Sequence, residues 1–590
     1  MSTTSSRPVY SFAPVATSSD DDQSLFFPGS DVPREPPAPL PATAEPPPVR
    51  LLKVYCFDPS LGRLPGNVIT VSVPYEKLAP GPVGERIAVV DYDSTRDCFY
   101  DPVDLDDPLV ALRGGMEPSE SDPHFHQQMV YAVVSETLRR FETALGRPLR
   151  RVAPEGESSF RLYAYPHAQR VTNAWATDTG ELAFGYFQAS AAATGRTIPG
   201  QTVFTCLSHD AIVMTTTQAI LYAVRPDFAE GFDKHIDTLA FFSAFCDLSA
   251  LLLRFSHREA LLDTIQRTGG VIYRSVLRAD GDTADAPRIQ AELAANNPLL
   301  ALASGFGEAL GQDGGLRKTL FEAPNPGKLA TVQQPHQRGE ILTAAVLDAY
   351  FSIYARRSME YFRIYRSGGG RLDSGDLPAA LSGRLADEAT RLAVSMYDLC
   401  VRALDYCPAG GLTFDDFLRA CITADYERTP TDELGVRDAL MQAFRLRGIR
   451  PAGAPFFSED ALRWPLVDPR HLNKPGLRLR GLPEPDERCR QLNQRALRAF
   501  IRANAKALAL QPTTAFDVYP LQVVRRSTPD DRPRQVLVTQ VVSRPAAKRT
   551  GGKGANDDTA GGVTLVFDGG GQLRYAIRTG AAPPTGSATK

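Results

Sequence analysis

The chain of 590 residues is 43% hydrophobic and 23% charged, which is typical of a globular protein, and its length alone predicts about three or four domains. The formal net charge is −3 with acidic and basic residues mixed, which argues against a nucleic-acid-binding protein, because such a protein needs a clustered basic face. Eight scattered cysteines without a CxxC pair, no secretory leader and no membrane-length apolar run predict a reduced, cytoplasmic protein that contacts no membrane.

The N-terminal part begins with a proline-rich segment and continues with short apolar runs. Residues 1–49 lack periodicity and hold eight prolines between Pro33 and Pro48, which predicts a disordered or polyproline-II arm. Residues 50–115 carry apolar and alternating runs between Pro and Gly turns, which predict a small β-rich segment. A helix is predicted at 127–146, with Gly146 as its stop, and strands follow at 160–165 and 173–189.

Helical patterns dominate the following part of the chain. Helices are predicted at 207–225, 236–256, 258–268, 299–311, 337–357, 379–405, 413–423 and 432–447. The region 456–590 differs, because it carries a predicted helix at 489–509 and four runs typical of a small antiparallel sheet, with a flexible insert at 545–562 and a disordered tail. The order of a β-rich half and then a helical half predicts an α+β fold with a ligand cleft between the halves.

The most informative segment runs from Ser208 to Val224 and reads SHDAIVMTTTQAILYAV. A zinc peptidase of the HExxH type carries two histidine ligands at i and i+4 on one helix face, with a glutamate between them as general base. This segment and LAFFSAFCDLSAL, at 239–251, resemble a bacterial family of thermolysin-like putative metallopeptidases. The corresponding family segments read approximately SHDIxAHExTHALLDG and AFHEAFAD.

The resemblance covers roughly residues 50–580, since further segments occur in the family's order. Residues 124–147 look like the helix ahead of the cleft, Asn173, Ala174 and Trp175 like the edge strand that pairs with substrate, and His336 like the transition-state histidine. The resemblance implies a thermolysin-like domain at 116–455, with a β-rich N-terminal lobe and a helical C-terminal lobe. The segments 50–115 and 456–590 would be an N-terminal β appendage and a C-terminal α/β appendage.

The same resemblance implies that the zinc site has been lost. Aligned on the shared SHD residues, Met214 and Gln218 fall on the two histidines, Thr215 on the glutamate base and Ser243 on the third ligand, while Asp247 keeps the aspartate that orients a ligand histidine. Thioether, amide and hydroxyl groups are weak, neutral ligands for Zn²⁺, and a threonine hydroxyl is no base near neutrality. We therefore expect neither a metal cofactor nor catalysis at these positions.

The function expected on this basis is that of a pseudopeptidase that binds a protein or peptide or acts as a scaffold. The edge strand at Asn173–Trp175 would add a peptide strand, so the expected partner is a polypeptide, for example an active paralogue, and neither a nucleic acid nor a membrane. Two alternatives stay open: an active zinc metallopeptidase or other hydrolase with relocated active-site residues, and a purely structural protein with an occluded cleft.

Two smaller residue sets allow a functional reading but favour a structural one. Cys206, His209 and Asp210 contain the residue types of a nucleophilic hydrolase, although Ser208 or Asp210 as a helix cap explains the segment better. His124 and His126 alternate, so on a strand they would share one face and could hold a metal. No third ligand accompanies this pair in the sequence, which favours a structural role.

Overall fold

The computed structural model describes residues 48–62, 64–193, 196–225, 236–272, 299–311, 322–370, 377–451, 456–482, 485–510, 516–527, 533–543 and 562–578. The predicted arm lies outside these ranges up to residue 47, and so do the predicted tail and, except for its last residue, the insert at 545–562. The described residues belong to one compact unit.

The described elements form a mixed α+β fold, as the sequence predicts. The α-helices are α1 (Pro108–Leu112), α2 (Pro123–Leu145), α3 (His209–Val224), α4 (Ile236–Phe255), α5 (Arg258–Arg267), α6 (Ser304–Ala309), α7 (Lys328–Thr331), α8 (Pro335–Ser367), α9 (Ala379–Ala403), α10 (Phe414–Arg428), α11 (Val436–Leu446), α12 (Glu459–Leu462) and α13 (Glu487–Ala503). The strands are β1 (Val49–Tyr55), β2 (Val68–Pro74), β3 (Ile87–Val89), β4 (Tyr92–Asp93), β5 (Cys98–Phe99), β6 (Arg150–Ala153), β7 (Gly156–Ser159), β8 (Leu162–Gln169), β9 (Ala174–Ala176), β10 (Glu181–Gln188), β11 (Thr202–Phe204), β12 (Phe516–Val518), β13 (Gln522–Ser527), β14 (Pro533–Ser543), β15 (Gly562–Asp568) and β16 (Leu573–Ile577).

Several small sheets make up the β structure. Strands β1 and β2 form an antiparallel pair. The sheet that precedes α3 has the order β11–β10–β8–β3, with β10 and β3 parallel to β8, and β9 pairs antiparallel with β10. The C-terminal sheet has the order β12–β14–β15–β16, with β13 also on β14, and all of its pairs are antiparallel. The antiparallel sheet predicted from the last four apolar runs is therefore confirmed.

Helix α2 shows how local sequence sets an element's bounds. The Asp122 side chain accepts a hydrogen bond from the His124 N–H, and Pro123 occupies the first helical position, where its missing N–H costs nothing. The helix ends at Gly146, which adopts a left-handed φ of 74°. A Cβ at Gly146 would lie 2.0 Å from the carbonyl oxygen of Arg525, so glycine also permits β13 to approach the end of α2.

Helix α4 forms the centre of the helical half and packs against α3 and α8. It is long and apolar enough by composition to cross a membrane, with a mean hydropathy of 1.7, but 78% of this apolar stretch is buried inside the protein. That burial is typical of a core helix of a soluble protein. The C-terminal sheet has a second apolar cluster, to which α13 contributes Leu497, Phe500 and Ile501 at helical spacing.

The structure corrects four details of the sequence-based expectations. His124 and His126 lie in α2 and not on a strand, so the proposed shared strand face was wrong. The predicted helix at 337–357 extends to Ser367, and the run at 173–189 is two strands, because the chain turns at 177–180 between β9 and β10. The predicted helix at 299–311 is confined to α6.

Candidate functional site

The N-terminus of α3 is capped as the sequence predicts. The Ser208 side chain accepts a hydrogen bond from the Ala211 N–H at 3.5 Å, and Asp210 lies in the first turn, where a negative charge complements the helix dipole. Asp210 is 1% exposed and pairs with the buried guanidinium of Arg254. Its Oδ2 also accepts a hydrogen bond from the Ala303 N–H at 2.8 Å.

Helix α3 is buried on most sides and leaves one narrow stripe accessible. Ala211, Met214, Gln218 and Tyr222 are half-buried and follow one another at intervals of three and four residues, so they share one helix face. This face contains both positions that align with the histidine ligands. Thr215, which aligns with the glutamate base, is buried beside it.

Helix α4 and the start of α8 extend this accessible face. The rings of Tyr222 and Phe242 lie 5.1 Å apart between their centroids. Ser243 Oγ and His336 Nδ1 form a hydrogen bond of 3.0 Å, and His336 is exposed. The structure therefore brings Ser243 and His336 together, whereas Asp247, one turn further along α4, is fully buried.

Strand β9 presents backbone groups to the same face. The Gly185 N–H donates to the carbonyl of Asn173, and the Thr177 N–H donates to the carbonyl of Glu181, both at 2.9 Å. Because hydrogen-bonding groups alternate along an antiparallel strand, the backbone of Ala174 and Ala176 points away from β10. Among the described strands β9 pairs only with β10.

One of these outward groups already has a partner. The Ala176 N–H donates to Gln218 Oε1 at 3.3 Å, and Gln218 Nε2 donates to the Tyr222 hydroxyl at 3.3 Å. Strand β9 therefore lies beside the accessible stripe of α3. We call the face formed by these elements the α3 surface, and its members are Ala174, Trp175, Ala176, Met214, Gln218, Tyr222, Phe242, Ser243 and His336.

The α3 surface combines half-buried apolar side chains with hydrogen-bonding side chains and outward backbone groups. The predicted edge strand at Asn173–Trp175 corresponds to β9, shifted by one residue. The expected loss of zinc at Met214, Gln218 and Ser243 stays a prediction.

A cluster that the sequence analysis missed lies behind α3. Glu136 of α2, His209 of α3 and His257, which precedes α5, place one potential ligand atom each within 4.8 Å of one another. Burial and then the neighbouring His257 lower the pKa of His209 to about 3. Burial alone would raise the pKa of Glu136, but His257, His209 and Arg140 together lower it to about 2.

A second buried cluster is a chain of hydrogen bonds. Asp91 Oδ1 lies 2.7 Å from His167 Nδ1, His167 Nε2 lies 2.8 Å from His126 Nδ1, and His126 Nε2 lies 3.1 Å from the Glu120 carbonyl. The two imidazoles therefore link the Asp91 carboxylate to the Glu120 carbonyl ahead of α2 through consecutive side chains.

The candidate nucleophile set is not assembled. Cys206 lies with His126 and His167, apart from the pair formed by Asp210 and Arg254. Neither ring nitrogen of His209 has a hydrogen-bond partner among the described residues, so no Cys–His–Asp relay exists there. Burial also raises the pKa of the Cys206 thiol, which keeps it protonated and unreactive.

The buried position of His126 predicts a pH-dependent stability. Burial, followed by the charge of His167, lowers the pKa of His126 to about 4, against the raising effects of Asp91 and Asp122. The unfolded chain then binds a proton that the folded chain excludes, so stability is lost as pH falls from 6.5 towards 4. Urea denaturation should show a loss of about 2 kcal/mol between pH 6.5 and 5 from this group. His126→Gln should lose correspondingly less over the same interval, and an unchanged loss would contradict the assignment.

No protein-family model matches the chain, and no curated protein shows significant similarity to it.

Proposed function

We propose that this protein is a catalytically inactive relative of thermolysin-like metallopeptidases that binds an extended polypeptide segment at the α3 surface. The observation that carries the proposal is the outward edge of β9 next to the one accessible stripe of α3. The proposed fold is thermolysin-like, with the edge strand and α3 forming the two sides of the substrate cleft.

An extended segment would bind by adding a strand to β9. The Ala174 N–H and the carbonyls of Ala174 and Ala176 point outward and supply main-chain hydrogen bonds to an antiparallel strand. Met214 and Tyr222, both half-buried, lie along the face of α3 and would contact alternate side chains of the segment. Main-chain pairing provides affinity in this mode, and the apolar contacts provide selectivity.

Binding without hydrolysis follows from the side chains at the former ligand positions. Met214, Gln218 and Ser243 are neutral and weak ligands for Zn²⁺, and Gln218 and Ser243 are engaged in hydrogen bonds to other groups. The proposed partner is a polypeptide, with an active paralogue as one concrete case, and the proposed location is the cytoplasm.

The Ala174→Pro variant tests the proposal, because it removes one backbone hydrogen-bond donor of β9. Proline removes an N–H that faces away from β10, so pairing with β10 is kept and one bond to the added strand is lost. Peptides selected from a phage-displayed random library should bind the Ala174→Pro variant about tenfold more weakly than wild type, as expected for one hydrogen bond of about 1.4 kcal/mol. Binding is measured by fluorescence anisotropy.

The matched control is Ala174→Val, which adds a similar side-chain bulk but keeps the N–H, and it should bind as wild type does. Equal weakening in both variants would point to a general disturbance of β9. If the library yields no peptide whose binding depends on Ala174, the proposal is wrong.

A structural role has one observation in its favour. The hydrogen bond between the Ala176 N–H and Gln218 occupies part of the edge, as an occluded cleft would require. In the same binding assay Gln218→Ala separates the two functions. If Gln218 closes the cleft, peptides should bind only to this variant, whereas an open α3 surface binds them in wild type as well.

A further inference from the structure

His209 carries a buried imidazole ring that lacks hydrogen-bond partners among the described residues. Its side chain is 1% exposed, and neither ring nitrogen has a hydrogen-bond partner among the described residues. Buried polar groups in native proteins are nearly always paired with protein, water or an ion, so such a ring indicates an unseen ligand. The closest carboxylate along the chain, Asp210 Oδ1, is 4.0 Å from His209 Nδ1, which exceeds a hydrogen bond.

The groups facing His209 are ligand types for a metal ion. Glu136, His209 and His257 offer two imidazoles and a carboxylate whose ligand atoms all lie within 4.8 Å of one another. The distance from His257 Nε2 to Glu136 Oε2 is 3.5 Å. Two ligands of a tetrahedral Zn²⁺ are about 3.3 Å apart when each bond is about 2.0 Å long, so this pair is already at the right separation.

The environment accommodates a cation. Glu136 is 4% exposed, and its carboxylate would balance part of the charge of a divalent ion. The guanidinium of Arg254 is also nearby, but its charge is neutralised by the ion pair with Asp210. The set of two histidines and one glutamate leaves one tetrahedral position for a water molecule, as in known zinc sites with three protein ligands.

The other histidine cluster provides an internal comparison. In the chain formed by Asp91, His167 and His126, every ring nitrogen has a partner within 3.1 Å. His126 and His167 also place ligand atoms within 4.8 Å of Cys206, but their ring nitrogens are already engaged in hydrogen bonds. The contrast singles out the set around His209, where the pairing is missing.

We propose that Glu136, His209 and His257 bind one divalent transition-metal ion of the Zn²⁺ type. The three residues belong to α2, to the first position of α3 and to the N-cap of α5, so the ion would join three helices through a single centre. The ion would fix the start of the helix that carries the α3 surface, and its fourth position would be open to water. The site is separate from the positions at which the HExxH ligands are replaced.

Metal analysis of the purified full-length chain tests this site. Protein produced with zinc in the medium and dialysed against metal-free buffer should retain about one zinc ion per chain, measured by plasma mass spectrometry. His209→Gln and His257→Gln should each lose the ion. His336→Ala is the matched control, because it removes an exposed histidine of the α3 surface, and it should keep the ion.

A second measurement covers the case in which the histidine variants fail to fold. Co²⁺ added to metal-free wild-type protein should produce the intense visible absorption of a four-coordinate site, and Zn²⁺ should abolish it. Wild-type protein that takes up neither ion would overturn the proposal. Zinc that persists in both folded histidine variants, or that is lost in His336→Ala, would also overturn it by placing the ion elsewhere. Peptide binding at β9 is measured without reference to metal, so the two proposals fail independently.

Discussion

Replacing Asp210 with alanine should lower the free energy of unfolding by about 3–5 kcal/mol, because it leaves a buried guanidinium without its counter-charge. Asp210 and Arg254 are each 1% exposed, and the Asp210 carboxylate also accepts the Ala303 N–H. Arg254 is held in place by further bonds to the carbonyls of Leu299 and Ala301, at 3.1 and 3.2 Å, so it cannot move to solvent easily. Urea denaturation at neutral pH measures the change.

Two further variants distinguish the effect of burial from the effect of charge on the free energy of unfolding. Asp387→Ala removes the partner of Arg258 in a pair whose side chains are both more than 40% exposed, and the change should stay within about 1 kcal/mol. The double variant Asp210→Ala with Arg254→Met removes both charges and should be more stable than Asp210→Ala alone. If Asp210→Ala and Asp387→Ala lower the free energy of unfolding by equally small amounts, the ion pair between Asp210 and Arg254 stabilises the fold far less than its burial indicates.

Restoring the metallopeptidase residues should create a new zinc site. The quadruple variant combines Met214→His, Thr215→Glu, Gln218→His and Ser243→Glu. Positions 214 and 218 share the accessible stripe of α3, and the alignment with the metallopeptidases makes position 243, on the adjacent helix α4, the third ligand, so two imidazoles and a carboxylate are expected to converge. We expect the variant to bind one more zinc ion per chain than wild type, measured by metal analysis after dialysis.

The control for this variant separates the two metal positions. The same four changes in a His209→Gln background should bind one zinc ion fewer than the quadruple variant, since the site behind α3 is then removed. Cleavage of a quenched fluorescent peptide measures whether the glutamate introduced at position 215 activates a zinc-bound water. A folded quadruple variant that binds no additional zinc would show that either the alignment of α3 with HExxH helices or the preservation of the cleft is wrong.

The sequence predicted the elements around the α3 surface closely, because their signals are local. Capping by Ser208 and the glycine stop at Gly146 depend on neighbouring residues, and both are present in the structure. His124 and His126 lie in a helix because Asp122 and Pro123, a capping residue and a proline typical of a helix start, precede them.

The cluster around His209 could not be predicted from the sequence. Its members come from α2, α3 and the start of α5, and no spacing motif joins them. What brings them together is the packing of α2 on α3 and of α4 on α3, which depends on the whole apolar core. The same holds for Asp91 and His167, whose link to His126 requires the register of the central sheet. Met214 and Gln218, which align with the HExxH histidines, lie on another face of α3, so the motif carries no information about this cluster.

The hydrogen bond between Ala176 and Gln218 also bears on self-association. A strand edge with free N–H and carbonyl groups is a template on which identical chains can polymerise. In this protein β9 has three residues, and a side chain of the same molecule occupies one of its outward donors. So short an edge, partly blocked from within, offers too few free groups to start a growing fibril.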